Sequence, residues 1–377
     1  MGVVLGSRQI LCIVGARPNF MKIAPIMRAF AHADSALSAR LLHTGQHYDA
    51  AMKHAFFEQL GIPEPDVDLG VGSGTHAQQT ADIMKRFEPV LDEAPPLAVL
   101  VVGDVNSTIA CALVAVKKGI PVIHVEAGLR SGDRSMPEEI NRIVTDQLSD
   151  LLFTTEASAL DNLTREGIAP DKVHFVGNVM IDTLYHNLGA LVPSCTTLDS
   201  RKIDASPGGY GLVTLHRPSN VDDPDVLARL LQCLVRISRN TPLVFPIHPR
   251  TESRLAAAGL EGLLADSAIT MIPPQGYLEM LGLMKDARVV LTDSGGVQEE
   301  TTALGVPCIT LRENTERPIT VSQGTNTVVG TDASRIMACY EDVVKTGGKI
   351  GRVPELWDGK AATRIVQRIN QWAVAVS

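Results

Sequence analysis

Residues 97–102, Leu-Ala-Val-Leu-Val-Val, are apolar at every position, and the run stops at Gly103-Asp104. A strand without polar alternation must be covered on both faces, the condition met in a parallel sheet flanked by helices. Residues 108–118 follow with apolar side chains at helical spacing, and residues 122–125 form a second short apolar run. Strand, helix, strand with no hairpin turn signal forces a crossover connection, and so a parallel pair.

The same unit recurs. Residues 9–14 read as a strand stopped by Gly15, and residues 19–30 as a helix. Residues 39–44 read as a strand. Residues 138–148, with Pro137 at the first turn, read as a helix. Residues 151–154, 157–166 and 173–176 continue the alternation. Residues 177–206 break it with Pro193, Ser194 and Ser206, followed by Pro207, Gly208 and Gly209. Strands at 211–215, 243–247, 268–272, 289–292 and 306–311 then alternate with helices at 226–237, 276–284, 297–304, 333–345 and 361–374. The expected architecture is α/β: two Rossmann-like doubly wound domains facing across a cleft, a GT-B-like arrangement. The boundaries expected are 1–177 for the N-terminal domain, with a C-terminal helix, 363–377, crossing back onto it. Residues 178–362 form the second, nucleotide-binding domain. A chain of 377 residues is long enough for two such domains.

Composition narrows the function. Net charge is −8, which argues against a general nucleic-acid binder. Six cysteines are scattered with no C-x-x-C pair, so neither a zinc knuckle nor a disulfide framework is expected. No long apolar span and no basic-then-apolar leader is visible, so no membrane partner and a cytoplasmic location are expected. The first strand leads into Gly15-Ala16-Arg17-Pro18 rather than G-x-G-x-x-G, and no P-loop string occurs. No cofactor and no metal are expected.

Charged residues gather at strand ends, where an open parallel sheet places its ligands. Asp104 and Glu126 end two apolar runs, and Glu138 opens the next helix. Arg17 lies in the first strand-to-helix loop, with Lys22 about one turn later. His216 and Arg217 follow the first strand of the second half. Asp293-Ser294-Gly295-Gly296 follows a buried strand and opens a helix, whose amide-rich N-terminus favours an anion. Glu300, about one turn in, is placed for sugar hydroxyls rather than phosphate. Arg317 follows a later strand. Glu139, about 100° around the helix from Glu138, reads as structural.

Taken in order, these strings resemble one family closely. They are Gly15-Ala16-Arg17-Pro18 with Lys22, Thr44-Gly45-Gln46-His47, Gly103-Asp104, His124-Val125-Glu126-Ala127-Gly128-Leu129-Arg130, Pro137-Glu138-Glu139 with Asn141-Arg142, Gly177-Asn178, His216-Arg217, Thr292-Asp293-Ser294-Gly295-Gly296 with Gln298-Glu299-Glu300, and Thr315-Glu316-Arg317-Pro318. The chain resembles the bacterial non-hydrolysing UDP-N-acetylglucosamine 2-epimerases from about residue 9 onward. The resemblance implies interconversion of UDP-GlcNAc and UDP-ManNAc without a redox cofactor. UDP is eliminated across C1–C2 to give 2-acetamidoglucal and is added back with inverted C2. It implies Asp104, Glu126 and Glu138 as acid/base groups. Arg17, Lys22 and His216 would compensate the departing diphosphate, with Arg217 beside His216. Ser294, Gly295, Gly296, Glu300 and Arg317 would hold the nucleotide. It further implies a UDP-sugar partner, a homodimer and domain closure. Regulated members bind a second UDP-GlcNAc as activator. Asp49 and Gln78 depart from that pattern, whereas Arg217 and His248 match it. Alternatives are a hydrolysing relative releasing ManNAc and UDP, a 2-epimerase of a modified UDP-sugar, a GT-B glycosyltransferase, and a catalytically silent sugar-nucleotide sensor.

Overall fold

The computed structural model describes residues 8–33, 35–46, 57–199 and 203–376. The chain divides into two compact units. The first runs to His186 and resumes at Glu355; the second is Asn187–Pro354.

In the first unit seven strands form one sheet in the order β3-β2-β1-β4-β5-β6-β7. They are β1 (Gln9–Val14), β2 (Ser38–His43), β3 (Val67–Asp68), β4 (Ala98–Val102), β5 (Val122–Val125), β6 (Leu151–Thr154) and β7 (Val173–Phe175). Every pairing is parallel. Each residue of β4 and β5 is buried, as their unbroken apolar sequence requires. The chain moves outward from β1 to β3, then returns to β4 on the other side of β1. The reversal between β1 and β4 leaves a crevice at their carboxyl ends. Gly15 and Gly103 stand at those ends, where β1 and β4 finish.

Close approach fixes Gly15. A Cβ there would overlap Ser107 Oγ and lie 2.6 Å from Thr44 Oγ1. Asn19 then gathers the loop. Its Oδ1 accepts from the amides of Gly15 (3.2 Å) and Ala16 (3.1 Å), and its Nδ2 donates to the Val102 carbonyl at 3.0 Å. One side chain, in the first turn of the helix Arg17–His32, thus ties the β1 loop to the end of β4.

The second unit repeats the plan with six strands in the order β10-β9-β8-β11-β12-β13. They are β8 (Gly211–Thr214), β9 (Leu243–Pro246), β10 (Ile269–Ile272), β11 (Val289–Thr292), β12 (Cys308–Thr310) and β13 (Asn326–Val328). All pairings are again parallel, and the reversal falls between β8 and β11. A core of Val213, Leu230, Leu234, Phe245, Leu291 and Ile309, among others, fills one face of this sheet.

The doubly wound α/β expectation holds in both units. Residues 177–206 are not the continuous break the sequence suggests. They contain the helices Val179–Asn187 and Ser194–Leu198. Val179, Met180, Ile181 and Leu184 are buried, and Asn178 Oδ1 accepts the Met180 amide at 2.8 Å. The Gly/Pro-rich signal belongs to the later residues alone. Strand β3 escapes sequence reading because it is two residues long, and β13 because its three residues, Asn-Thr-Val, carry a single apolar side chain.

The return segment completes the first unit. Trp357 is buried and its Nε1 donates to the Thr155 carbonyl at 3.0 Å. Asp182 caps the helix Ala361–Val376, accepting from the amides of Ala361 (3.1 Å) and Ala362 (2.7 Å). No helix among the described residues is long and apolar enough to cross a membrane.

Candidate active site

In the first unit the three carboxylates stand on neighbouring segments at the carboxyl edge of the sheet. Glu126 follows β5 with a backbone φ of +75°, a region a side chain with a Cβ seldom enters. The Phe153 carbonyl overdetermines this turn, accepting from both the Glu126 and Ala127 amides at 3.0 Å. The Glu126 carboxylate meets the Lys22 ammonium at 2.8 Å, and both residues are buried. Lys22 reaches it by passing directly over Gly103, where a Cβ would stand 2.7 Å from Nζ. The glycine that ends β4 therefore also clears a path for the ion pair.

Asp104 is held through backbone and side chain by one helix, Pro137–Leu148. Asn141 Nδ2 donates to its carbonyl at 2.9 Å, and Arg142 Nε and Nη2 both reach its Oδ2 at 2.9 Å. Arg142 also donates to Glu139. The Glu139 carboxylate in turn accepts the amides of Ser131 (3.0 Å) and Gly132 (2.9 Å). Glu139 thus fastens the loop between β5 and the helix. Glu138, one position earlier, is half-buried, and among the described residues no hydrogen bond or ion pair to its carboxylate is seen. The spacing Glu138, Asn141, Arg142 puts these three on one helical face. That spacing could have identified Asn141 and Arg142 as supports of Asp104.

Behind them lies a buried charge network. His124 places Nδ1 2.6 Å from Asp146 and Nε2 2.9 Å from the Gly103 carbonyl. Asp146 also accepts from Arg130 Nη2 (2.7 Å) and the Gly128 amide (3.0 Å), and Arg130 forks onto Glu166. Burial pushes the Asp146 carboxyl up, but the His124 ring and the Arg130 guanidinium outweigh it and hold the group below its ordinary value.

The second unit gathers the remaining residues at the ends of β8, β11 and β12. Asp293 is fully buried. It accepts the amides of His216 (3.0 Å) and Arg217 (2.9 Å) and the Asn220 side chain (3.2 Å), and lies 3.1 Å from His216 Nδ1. The carboxylate accepts, so Nδ1 donates, and Nε2 is the nitrogen left to take or give a proton. Burial raises the Asp293 carboxyl, but the His216 ring and the two amides bring it below its ordinary value. His248 lies beside the His216 ring, with centroids 5.5 Å apart.

Ser294 occupies the N-cap position of the helix Gly295–Leu304, and its side chain makes no capping bond. Gly295 is buried, and a Cβ there would approach Glu316 Oε1 to 2.5 Å. Glu316 ties Arg312 (2.8 Å) and Arg217 (3.7 Å) to this loop. Arg317 is buried with its Nε 2.8 Å from Glu299. Glu300 is buried, and its carboxyl is pushed up to about 8, first by burial and further by Glu299, against the lowering hydrogen bond of Tyr277.

Lys22, Asp104, Glu126 and Glu138 thus share the sheet edge of the first unit, and His216, Arg217, Ser294, Gly295, Gly296, Glu300 and Arg317 that of the second. Arg17 begins the first helix, but its side chain, like His47 and Asp49, lies outside the described residues. Gln78 pairs with Thr75 in a helix-capping box. Asn19, Asp146 and Asn220 are not among the residues picked out by sequence; each has a partner far away in the chain, Val102, His124 and Asp293 respectively.

A model of the UDP-N-acetylglucosamine 2-epimerase family matches residues 30–370. A UDP-N-acetylglucosamine 2-epimerase of Methanococcus maripaludis is 42% identical over 89% of this chain and 91% of its own. A UDP-2,3-diacetamido-2,3-dideoxy-D-glucuronate 2-epimerase of Pseudomonas aeruginosa is 43% identical over 95% of this chain and 98% of its own. The crystal structure of the Methanocaldococcus jannaschii UDP-GlcNAc 2-epimerase, in complex with UDP-GlcNAc and UDP, matches with a TM-score of 0.87 and 40% identity. It covers 96% of this chain and 99% of that one. With matched sequence spanning nearly its whole length and the doubly wound sheets that carry it, the chain belongs to the UDP-N-acetylglucosamine 2-epimerase family.

Proposed function

We propose that the protein interconverts UDP-GlcNAc and UDP-ManNAc by a non-hydrolysing route, with family membership supporting the substrate class. The observation that carries the reading is the edge of the first sheet. Two carboxylates there, Glu126 and Asp104, are held by cations, and Glu138 stands on the same segment as the supports of Asp104. In the forward direction the C2–H bond breaks and its proton passes to a carboxylate. The electron pair becomes the C1=C2 bond, and the C1–O bond breaks with its pair leaving on UDP. Re-addition reverses these steps, with a second carboxyl group delivering a proton to the opposite face of C2. Negative charge grows on the β-phosphate as UDP departs, and the preorganised cations and amide donors oppose it. The first unit supplies the proton-handling groups Asp104, Glu126 and Glu138, with Arg17 and Lys22. The second holds the nucleotide through Ser294, Gly295, Gly296, Glu300 and Arg317. His216, oriented by Asp293, serves the diphosphate with Arg217. The working protein is a cytoplasmic homodimer, and sedimentation velocity tests the dimer.

NMR of UDP-GlcNAc incubated with the protein in D2O tests the chemistry. The expected result is UDP-ManNAc carrying deuterium at C2, with UDP-GlcNAc exchanged at the same carbon. Free ManNAc with stoichiometric UDP would replace this reading with the hydrolysing one.

The Pseudomonas aeruginosa relative, as similar as the UDP-GlcNAc enzymes, favours a second reading: a 2,3-diacetamido uronic acid carried on UDP. Comparing kcat/KM for the two UDP-sugars decides between them.

A further inference from the structure

The sequence places Lys22 among the cations that would face the diphosphate. The structure shows Lys22 engaged elsewhere. Its ammonium lies 2.8 Å from the Glu126 carboxylate, and both residues are at least nine-tenths buried. The contact is built rather than incidental. Lys22 crosses Gly103 where any side chain would obstruct it. Glu126 is fixed by a left-handed backbone, maintained by hydrogen bonds that its own and the Ala127 N–H donate to the Phe153 carbonyl. Neighbouring carboxylates have cations of their own: Asp104 and Glu139 meet Arg142, and Asp146 meets His124 and Arg130.

We propose that Lys22 is a positioning residue that acts through Glu126, holding it as the ionised proton acceptor of the elimination, rather than a ligand of the diphosphate. The inference rests on the 2-epimerase reading above. A buried carboxylate tends to take up a proton, and an adjacent cation opposes this. With Lys22 in contact, Glu126 stays a carboxylate and can accept the proton. When the C2–H bond breaks and that proton moves to Glu126, the pair changes from neutral to carrying one positive charge. This happens as the electron pair leaves with UDP, so the new charge appears as the leaving group becomes more negative.

The two roles predict different kinetics. A diphosphate ligand, once removed, raises KM and weakens UDP binding, and leaves the pH dependence of kcat in place. A partner of Glu126, once removed, leaves UDP binding nearly unchanged and moves the acid limb of kcat to higher pH. An opposite charge at contact distance lowers a carboxylate by about 1–3 pH units, so Lys22→Gln should raise the limb by about that much. On the acid side of the wild-type limb activity should fall about ten- to a thousandfold, and it should recover as pH rises past the raised limb. Gly103→Ala keeps the ammonium but obstructs its path, and should move the limb in the same direction. Lys22→Arg keeps the charge and should leave it in place.

The test is the kcat and KM pH profile of the full chain and these variants, with calorimetric UDP binding as the check on folding. A raised limb in Lys22→Gln with wild-type UDP affinity supports the proposal. An unmoved limb with weakened UDP binding overturns it, as does a raised limb in Lys22→Arg. If Lys22→Gln does not fold, Gly103→Ala and Lys22→Arg decide by the same criteria. Wild-type exchange at C2 in D2O is measured first. Its absence would sink the 2-epimerase reading itself, whereas its presence with an unmoved limb sinks this inference alone.

Discussion

Asp293 grips His216 twice, through the backbone amide at 3.0 Å and the imidazole Nδ1 at 3.1 Å. A single buried carboxylate therefore fixes both where the residue enters the loop and which ring nitrogen stays available. Asn220, which also donates to the Leu311 carbonyl at 2.8 Å, donates to the same carboxylate at 3.2 Å.

Asp293→Asn keeps the shape but offers an amide N–H where only acceptors are tolerated. We expect about 1–3 kcal/mol of lost stability and a kcat about 10²–10⁴ lower, read from denaturant melts and steady-state kinetics. The pH dependence has a definite sign. The folded carboxyl titrates below its ordinary 3.8, so its contribution is complete above that value and is lost as pH falls through the lower folded value. The variant should show a shallower acid-side loss of stability than the wild type.

Glu138 and Glu139 are adjacent in sequence, yet the structure gives them opposite fates. Glu139→Gln should weaken the grip on the Ser131 and Gly132 amides and on Arg142, costing about 1–3 kcal/mol of stability. Glu138→Gln should stay within about 0.5 kcal/mol of wild type while lowering kcat about 10²–10⁴-fold. Paired melting curves and kinetics separate the two. A stable, fully active Glu138→Gln protein would remove Glu138 from the proton-handling set.

Glu300 carries the reverse pH sign. Its carboxyl is pushed up to about 8 from an ordinary 4.5, so between those values the folded chain keeps a proton that the unfolded chain has released. Stability should therefore fall as pH rises through this window and level off above it. Glu300→Gln should flatten that slope and gain on the wild type at the alkaline end. Denaturant midpoints at about pH 5 and about pH 9 bracket the window.

Much of this was legible in the chain because parallel sheets write their sites into short strings. Asp104, Glu126 and Ser294 each lie within two residues of a strand end, so strand and site are read together. The partners were not legible. Lys22 and Glu126 are 104 residues apart, and Asp293 and His216 77. Only the strand order, with β4 between β1 and β5 and with β8 beside β11, brings such ends together. The helix Val179–Asn187 was hidden for another reason. Its apolar residues are too closely spaced to show one face, and the Gly/Pro cluster after it dominates the local pattern.

The return of residues 355–376 to the first unit bears on synthesis. The second unit is contiguous in the chain and has all its strands once Pro354 has left the ribosome. The first, although its strands emerge earliest, must wait for Trp357 to reach Thr155 and for Asp182 to cap the helix Ala361–Val376. The usual order of vectorial folding, N-terminal part first, is thereby inverted at the final step: the unit begun first is the one finished last.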